Sequence, residues 1–259
     1  MKRTAAYILF LPLLLSCVTQ RMVTDAELIA HAGGALDSYV YTNSREALEN
    51  AAASGYRYIE LDLIMTSDSV LVAAHSWGLF NRMTGYAHKG DEAPLLSDFV
   101  SRRIHGRYTP LTADSINSYF LRNPQLFLVV DKTSDPVVLE RYFPCLKDRM
   151  VVEAFSYDDY CTLSGQGYFR VLYSCMAEDL NKALVKNLLF HRLFRGERIA
   201  WLALHTAALE HPFFRFLDKV RLFDVALFTV DNYDEIVEKY RYRAGMIYTN
   251  TLLEGQGAE

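Results

Sequence analysis

Two carboxylates stand two residues apart inside an apolar stretch, Tyr58-Ile59-Glu60-Leu61-Asp62-Leu63-Ile64-Met65. Such a stretch reads as a β-strand, and side chains alternate along a strand, so Glu60 and Asp62 share one face. Like charges placed this way repel, and burying either without a partner is costly. A divalent cation would resolve both problems; the alternative is a solvent-facing strand with two solvated acids. Donors that are all oxygen favour Ca²⁺ or Mg²⁺ over zinc. Two histidines bracket the pair. His31 follows Leu28-Ile29-Ala30 and precedes Gly33-Gly34, and His75 follows Val70-Leu71-Val72-Ala73-Ala74. Each stands where an apolar strand turns into a loop. Two imidazoles and two carboxylates at strand ends offer an acid, a base and a metal site.

A scaffold must bring those strand ends together. Strand patterns recur at Leu28–Ala30, Tyr58–Met65, Val70–Ala74, Leu126–Val130, Met150–Ala154, Phe169–Ser174, Ile199–Leu204, Val225–Val230 and Met246–Thr249. Helical patterns fall between them. Asn43-Ser44-Arg45-Glu46 reads as a capping box opening a helix through Ala53. Thr112 and Ser156 cap two more, Glu178–Phe194 and Thr206–Leu217 are helical, and Asp231 or Asn232 opens a last helix to Arg243. Strands alternating with helices imply parallel pairing through right-handed crossovers. The pattern predicts an α/β fold, a single-domain TIM (β/α)8 barrel, whose chemistry gathers at the C-terminal strand ends. A doubly wound open sheet competes, but no Gly-rich phosphate turn follows the first strand.

The order of motifs resembles the glycerophosphodiester phosphodiesterase family. His31-Ala32-Gly33-Gly34 is similar to its opening His-Arg-Gly, and Tyr41-Thr42-Asn43-Ser44 to its Pro-Glu-Asn-Thr. Glu60-Leu61-Asp62 matches its Glu-Leu-Asp strand, and His75-Ser76 its His-Asp pair. Thr109-Pro110-Leu111-Thr112, Phe228-Thr229-Val230-Asp231 and Ile247-Tyr248-Thr249-Asn250 follow later family motifs more loosely. The likeness runs in order through residues 28–252, strong in the first fifty and diffuse afterwards.

That resemblance implies a TIM barrel hydrolysing phosphodiesters with one divalent cation, Ca²⁺ or Mg²⁺, and two histidines. His31 and His75 would be the acid–base pair, and Glu60 and Asp62 metal ligands. A cation would offset charge on the phosphoryl oxygens. The family's third carboxylate is a Glu two residues before a Lys, where this chain has Leu128-Val129-Val130-Asp131-Lys132. Asp131 is expected on the metal and Lys132 on the phosphate. Adjacent residues point to opposite faces of a regular strand, so both can serve only if the strand bends or ends there. Glu153 matches a polar position and could line the barrel mouth, or pair with a neighbouring Lys or Arg. Three departures stand out: Ala32 for the family Arg, Thr42 for Glu and Ser76 for Asp. Losing the Arg removes a bidentate phosphate donor. Residues 77–108 form an excursion after His75, from which Trp77 is singled out as a substrate contact and the other aromatics are expected to pack.

The N-terminus carries a separate message. Lys2 and Arg3 precede an apolar run from Ala5 to Leu15, too short to span a membrane. It reads as a secretory signal. Its end, Leu14-Leu15-Ser16-Cys17, resembles a bacterial lipoprotein box, with Cys17 lipidated. The expected organisation is a signal peptide over 1–16, lipidated Cys17 and tether to 27, barrel 28–252 and tail 253–259. A lipid anchor would place the protein in the bacterial cell envelope and make the membrane a partner. Cys145, Cys161 and Cys175 lack C-x-x-C spacing and are expected as buried free thiols. An apolar share of 51% argues against disorder, and a net charge of −4 against a nucleic-acid partner. The expected substrate is a small-molecule or lipid-headgroup phosphodiester. Two other outcomes remain: a lipoprotein that binds phosphodiesters without turnover, and a phospholipase-like lyase stopping at a cyclic phosphate.

Overall fold

The computed structural model describes residues 26–175, 201–210, 224–240 and 244–251. The signal segment with Cys17, the helix expected at 178–194 and the tail lie outside them. Among the described residues no helix is long and apolar enough to cross a membrane.

Nine strands are described: β1 (Glu27–Ala30), β2 (Tyr58–Met65), β3 (Leu71–Ala73), β4 (Phe127–Asp131), β5 (Met150–Ala154), β6 (Val171–Cys175), β7 (Trp201–His205), β8 (Asp224–Phe228) and β9 (Met246–Thr249). Eight pair in parallel in the order β1-β2-β4-β5-β6-β7-β8-β9, and β9 returns to β1, so the sheet closes into a TIM barrel. Closure pairs each of these eight strands on both sides, leaving only the upper end of β2 unpaired by a barrel neighbour. Alternation divides each strand between two cores. Ile29, Val129, Val151, Leu172, Ala203, Ala226 and Met246 fill the barrel interior. Ile59, Leu61, Leu63, Leu128, Val130 and Val152 point outward against the helices. Ile59, Leu61 and Leu63 are fully buried, each contributing roughly 1.5–3 kcal/mol.

The strand expected at Val70–Ala74 exists but is not a barrel strand. β3 runs antiparallel to β2, pairing Leu63 with Ala73 and Met65 with Leu71. β1 stops at Ala30, level with Ile59, so the same edge of β2 is free above that point and β3 takes it. His75 therefore reaches the barrel mouth as the return arm of a hairpin, with Ala74 N–H bonded to the Asp62 carbonyl at 2.8 Å.

The first helices set the surroundings of the mouth. α1 (Arg45–Ala53) is capped by Ser44, whose side chain accepts from Ala47 N–H. The expected capping box does not form. Glu46 turns away and accepts Thr109 N–H and Oγ1–H, each at 2.8 Å, which frees Asn43 for the barrel. The excursion carries α2 (Trp77–Met83), capped by Ser76, and α3 (Leu96–Ser101). It owns a core of Val72, Ala74, Phe80, Phe99, Ile104 and Tyr108. Arg102 is buried there, hydrogen-bonded to Asn81 at 2.7 Å and stacked 3.9 Å over the Tyr86 ring. α4 (Ala113–Arg122), α5 (Pro136–Tyr142) and α6 (Tyr157–Gly165) flank the wall, capped by Thr112, Asp135 and Ser156. After β8 the helix expected to run to Arg243 is a single turn, α7 (Tyr233–Glu235), continued as a π-turn over Ile236–Tyr240. Cys145 and Cys161 are free, but Cys145 is exposed rather than buried.

Candidate active site

Glu60 and Asp62 follow Tyr58 on the inward face of β2, and Asp131 ends the inward series of β4, paired with Asp62 in register. One carboxylate oxygen from each of the three lies within 4.8 Å of the others. Glu60 and Asp62 are buried. The solvent-facing alternative is thereby excluded.

Each acid is held by backbone or side chain. Glu60 Oε2 accepts Ala32 N–H at 2.5 Å, while Oε1 is buried with no hydrogen-bond partner. Ala32 presents its N–H this way because the chain after β1 turns through left-handed residues. Gly33 is required in that turn: at φ +83° a Cβ would meet the Ala47 Cβ at 3.0 Å. Asn43 grips Asp62 twice, donating from Nδ2 to Oδ2 at 2.8 Å and accepting Asp62 N–H at 3.0 Å. It thus caps the stretch of β2 that β1 leaves unpaired. The other oxygen, Asp62 Oδ1, faces His75 Nδ1 at 3.0 Å. Ser76, standing where the family has Asp, caps α2, so Asp62 orients the His75 ring instead.

Asp131 and Lys132 both reach the site because β4 ends at Asp131 and Lys132 adopts φ +68°, which breaks the alternation. Lys132 Nζ lies 2.6 Å from Asp131 Oδ2 and 3.6 Å from Asp62 Oδ1. One lysine cannot balance three acids. Burial, then the negative charge of Asp62 and Asp131, holds the Glu60 carboxyl well above its ordinary range. Burial and Asp62 raise Asp131 as well, against the pull of Lys132. Burial would also raise Asp62, but the hydrogen bond and charge of His75, with Asn43 and Lys132, bring it below its ordinary value. Charge in excess and an orphaned buried oxygen fit a hard divalent cation coordinated by carboxylates.

His31 opens a 3-10 turn at the end of β1, with Nδ1 3.2 Å from Thr229 Oγ1 of the β8 end. Burial pushes its imidazole below 6.5, opposed by Asp62. Tyr41 stands against both histidines, its ring centroid 4.8 Å from His31 and 4.8 Å from His75. His31 also meets the Tyr248 ring edge-on at 5.9 Å. Tyr248 donates from its hydroxyl to Glu153, which is buried in the barrel and pushed up to about 8 by burial and by Asp131. The cation pairing considered for Glu153 is replaced by this phenol. Trp77 is not brought to the carboxylates by any described contact. It packs at 6.0 Å from Phe80 and 6.2 Å from Phe99.

Sequence reasoning assigned no part in the site to Tyr41, Asn43, Thr229 or Asp231. All four sat inside the quoted motifs, but Asn43 and Asp231 read as helix openers and Thr229 as a strand residue. Asp231 accepts Asn250 N–H at 2.6 Å and Asn250 Nδ2–H at 2.9 Å, joining the ends of β8 and β9 beneath His31.

An acidic cluster flanked by two imidazoles, at the mouth of a closed parallel barrel, defines a TIM-barrel enzyme with a site suited to a divalent cation. Residues 33–159 match the glycerophosphoryl diester phosphodiesterase family. The chain carries a domain of that family and falls among the phosphoric diester hydrolases. No curated protein sequence matches it. Among solved structures it is similar to a glycerophosphodiester phosphodiesterase from Parabacteroides distasonis, with TM-score 0.62, 20% identity, and 88% of this chain and 94% of that one covered. A glycerophosphodiester phosphodiesterase from Thermotoga maritima gives 0.63 at 19% identity, covering 87% and 94%. A phosphodiesterase from Oleispira antarctica, solved with its product sn-glycerol-3-phosphate, gives 0.64 at 16%, covering 87% and 93%. Identities this low establish a shared fold.

Proposed function

We propose that this protein hydrolyses a small phosphodiester of the glycerol type, using one divalent cation and two histidines. The observation that carries the reading is the meeting of Glu60, Asp62 and Asp131 within 4.8 Å, with Glu60 Oε1 unpartnered and His31 and His75 on either side of Tyr41. The three carboxylates would hold Ca²⁺ or Mg²⁺, which when bound offsets charge on the phosphoryl oxygens. The product seen with the Oleispira relative supports a glycerol-type substrate.

The histidines divide the proton work. His75 Nδ1 faces Asp62, which leaves its Nε2 for the reaction, and His31 Nδ1 faces Thr229. Burial favours neutral His31, which suits it to accept a proton from the water that attacks phosphorus. His75, oriented by Asp62, would give a proton to the departing alkoxide. Lys132, half-exposed beside the acids, is placed to contact a phosphoryl oxygen. Cys17 would carry the lipid that tethers the barrel to the cell envelope.

Turnover of a glycerophosphodiester with Mg²⁺ or Ca²⁺, with His31→Ala as control, tests the reading. Hydrolysis lost in the variant supports it. Binding without turnover in the wild type would leave a phosphodiester-binding lipoprotein.

A further inference from the structure

Resting on the phosphodiester reading, we propose that the Tyr41 hydroxyl is a substrate-binding group that donates a hydrogen bond to a non-bridging phosphoryl oxygen. It would thereby take over part of the work of the arginine this chain lacks after His31.

Several observations converge on it. Ala32 is fully buried and offers only its backbone N–H, which is spent on Glu60. The nearby cationic side chain, Lys132, can meet one phosphoryl oxygen but is shared with Asp131 and Asp62, so it does not alone replace a bidentate arginine. His75 and Asn43 are bonded to Asp62. The Tyr41 hydroxyl, by contrast, makes no hydrogen bond among the described residues. Its ring lies 4.8 Å from each imidazole, edge-on to His31 and tilted to His75, so an anion placed between the two proton-transfer groups lies beside this phenol. The residue is half-exposed at the mouth.

The backbone holds this position firmly. Tyr41 has φ +60° and Asn43 φ +48°, left-handed values that non-glycine residues rarely adopt. Asn43 N–H bonds the Ala32 carbonyl at 3.2 Å, and the Asn43 side chain is locked to Asp62. The turn that aims Tyr41 is thus tied to the acidic cluster. Burial and the charge of Asp62 and Glu60 keep the phenol protonated through neutral pH, as a donor must be.

The test is Tyr41→Phe, which keeps the ring between the histidines and removes only the hydroxyl. The readout is binding of sn-glycerol 3-phosphate by calorimetry in the presence of Mg²⁺, beside a separate Mg²⁺ titration. A hydrogen bond to a charged group predicts affinity weakened about 10- to 100-fold, with Mg²⁺ affinity and melting temperature unchanged. KM for a phosphodiester should rise more than kcat falls. Unchanged glycerol 3-phosphate affinity in Tyr41→Phe overturns the proposal. So does a Tyr41→Ala variant that binds or turns over better than wild type, which would make the ring an obstruction. A wild type that binds the probe yet hydrolyses nothing, with Tyr41→Phe weaker, defeats the hydrolytic reading and keeps this one.

Discussion

At the scale of single residues, the site is organised around an imbalance of charge. Glu60 is packed against two other carboxylates, and among the described residues its only hydrogen bond comes from Ala32 N–H. In the metal-free protein ionising this carboxyl is costly. Glu60→Gln should therefore raise the melting temperature without metal and abolish the rise that Mg²⁺ or Ca²⁺ gives the wild type, read by thermal melts with and without the ion. A variant that melts lower without metal and keeps the metal-induced rise would contradict that role. His31 leads to a different expectation. Its imidazole is held below 6.5 by burial, and as a proton acceptor it must be neutral. Activity should persist below pH 6.5 and be lost only as pH falls through the lowered value. His31→Ala should cost about 10²–10⁴-fold in kcat. The acid limb of a kcat/KM profile and the variant's kcat measure both.

Among elements, the turn between β1 and α1 contributes most to the site. It supplies Ala32 N–H to Glu60, Tyr41 to the histidines and Asn43 to Asp62. Glu46 pins the start of α1 to the segment before α4 through Thr109. Burial alone would raise this carboxyl, but the two Thr109 hydrogen bonds outweigh it and hold it below its ordinary value. Its contribution is therefore full above the ordinary carboxylate range and lost as pH falls through the lowered value. Glu46→Ala should destabilise by about 1 kcal/mol at pH 7, allowing for partial exposure, and by much less near pH 3. Urea unfolding at the two pH values measures the difference. Part of this region was legible in sequence: alternation around Glu60 and Asp62 told which face they share, and the start of α1 was placed within a residue, though the cap is Ser44 and not Asn43. The path of His75 was not. Three residues of antiparallel strand read the same as a barrel strand, because the pattern records burial and not direction. Asp131 and Lys132 could both serve only if the strand bent or ended there, and it ends between them. Tyr41 sits in an irregular turn, where no periodicity says which way a side chain points.

For the whole molecule, barrel closure buries a layer of acids that solvent would otherwise keep apart. Glu153, inside the barrel and pushed up to about 8, has an ordinary value of 4.5. Between those values the folded chain binds more protons than the unfolded one, so stability falls as pH rises through this window. Metal-free melting temperature should decline from about pH 5 to pH 8, and Glu153→Gln should flatten the decline while still accepting from Tyr248. The proposed attachment to the envelope is argued from the first residues of the sequence. Cys17→Ser should move the protein from the membrane fraction to the soluble one, followed by fractionation and immunoblot; full retention in the membrane would remove the lipid anchor. The fold was legible because eight apolar strands alternating with helices admit few closed arrangements. The interior contacts were less so, since partners such as Glu153 and Tyr248 lie 95 residues apart.

The central claim is that Glu60, Asp62 and Asp131 hold a cation over which His31 and His75 open a phosphodiester. Phosphorus NMR of a glycerophosphodiester incubated with the protein and Mg²⁺ or Ca²⁺ tests it most directly. The account predicts conversion of the diester signal to a phosphomonoester, abolished by chelation and reduced at least about 100-fold in His31→Ala. An unchanged diester with either ion, or equal conversion by the wild type and His31→Ala, would contradict it.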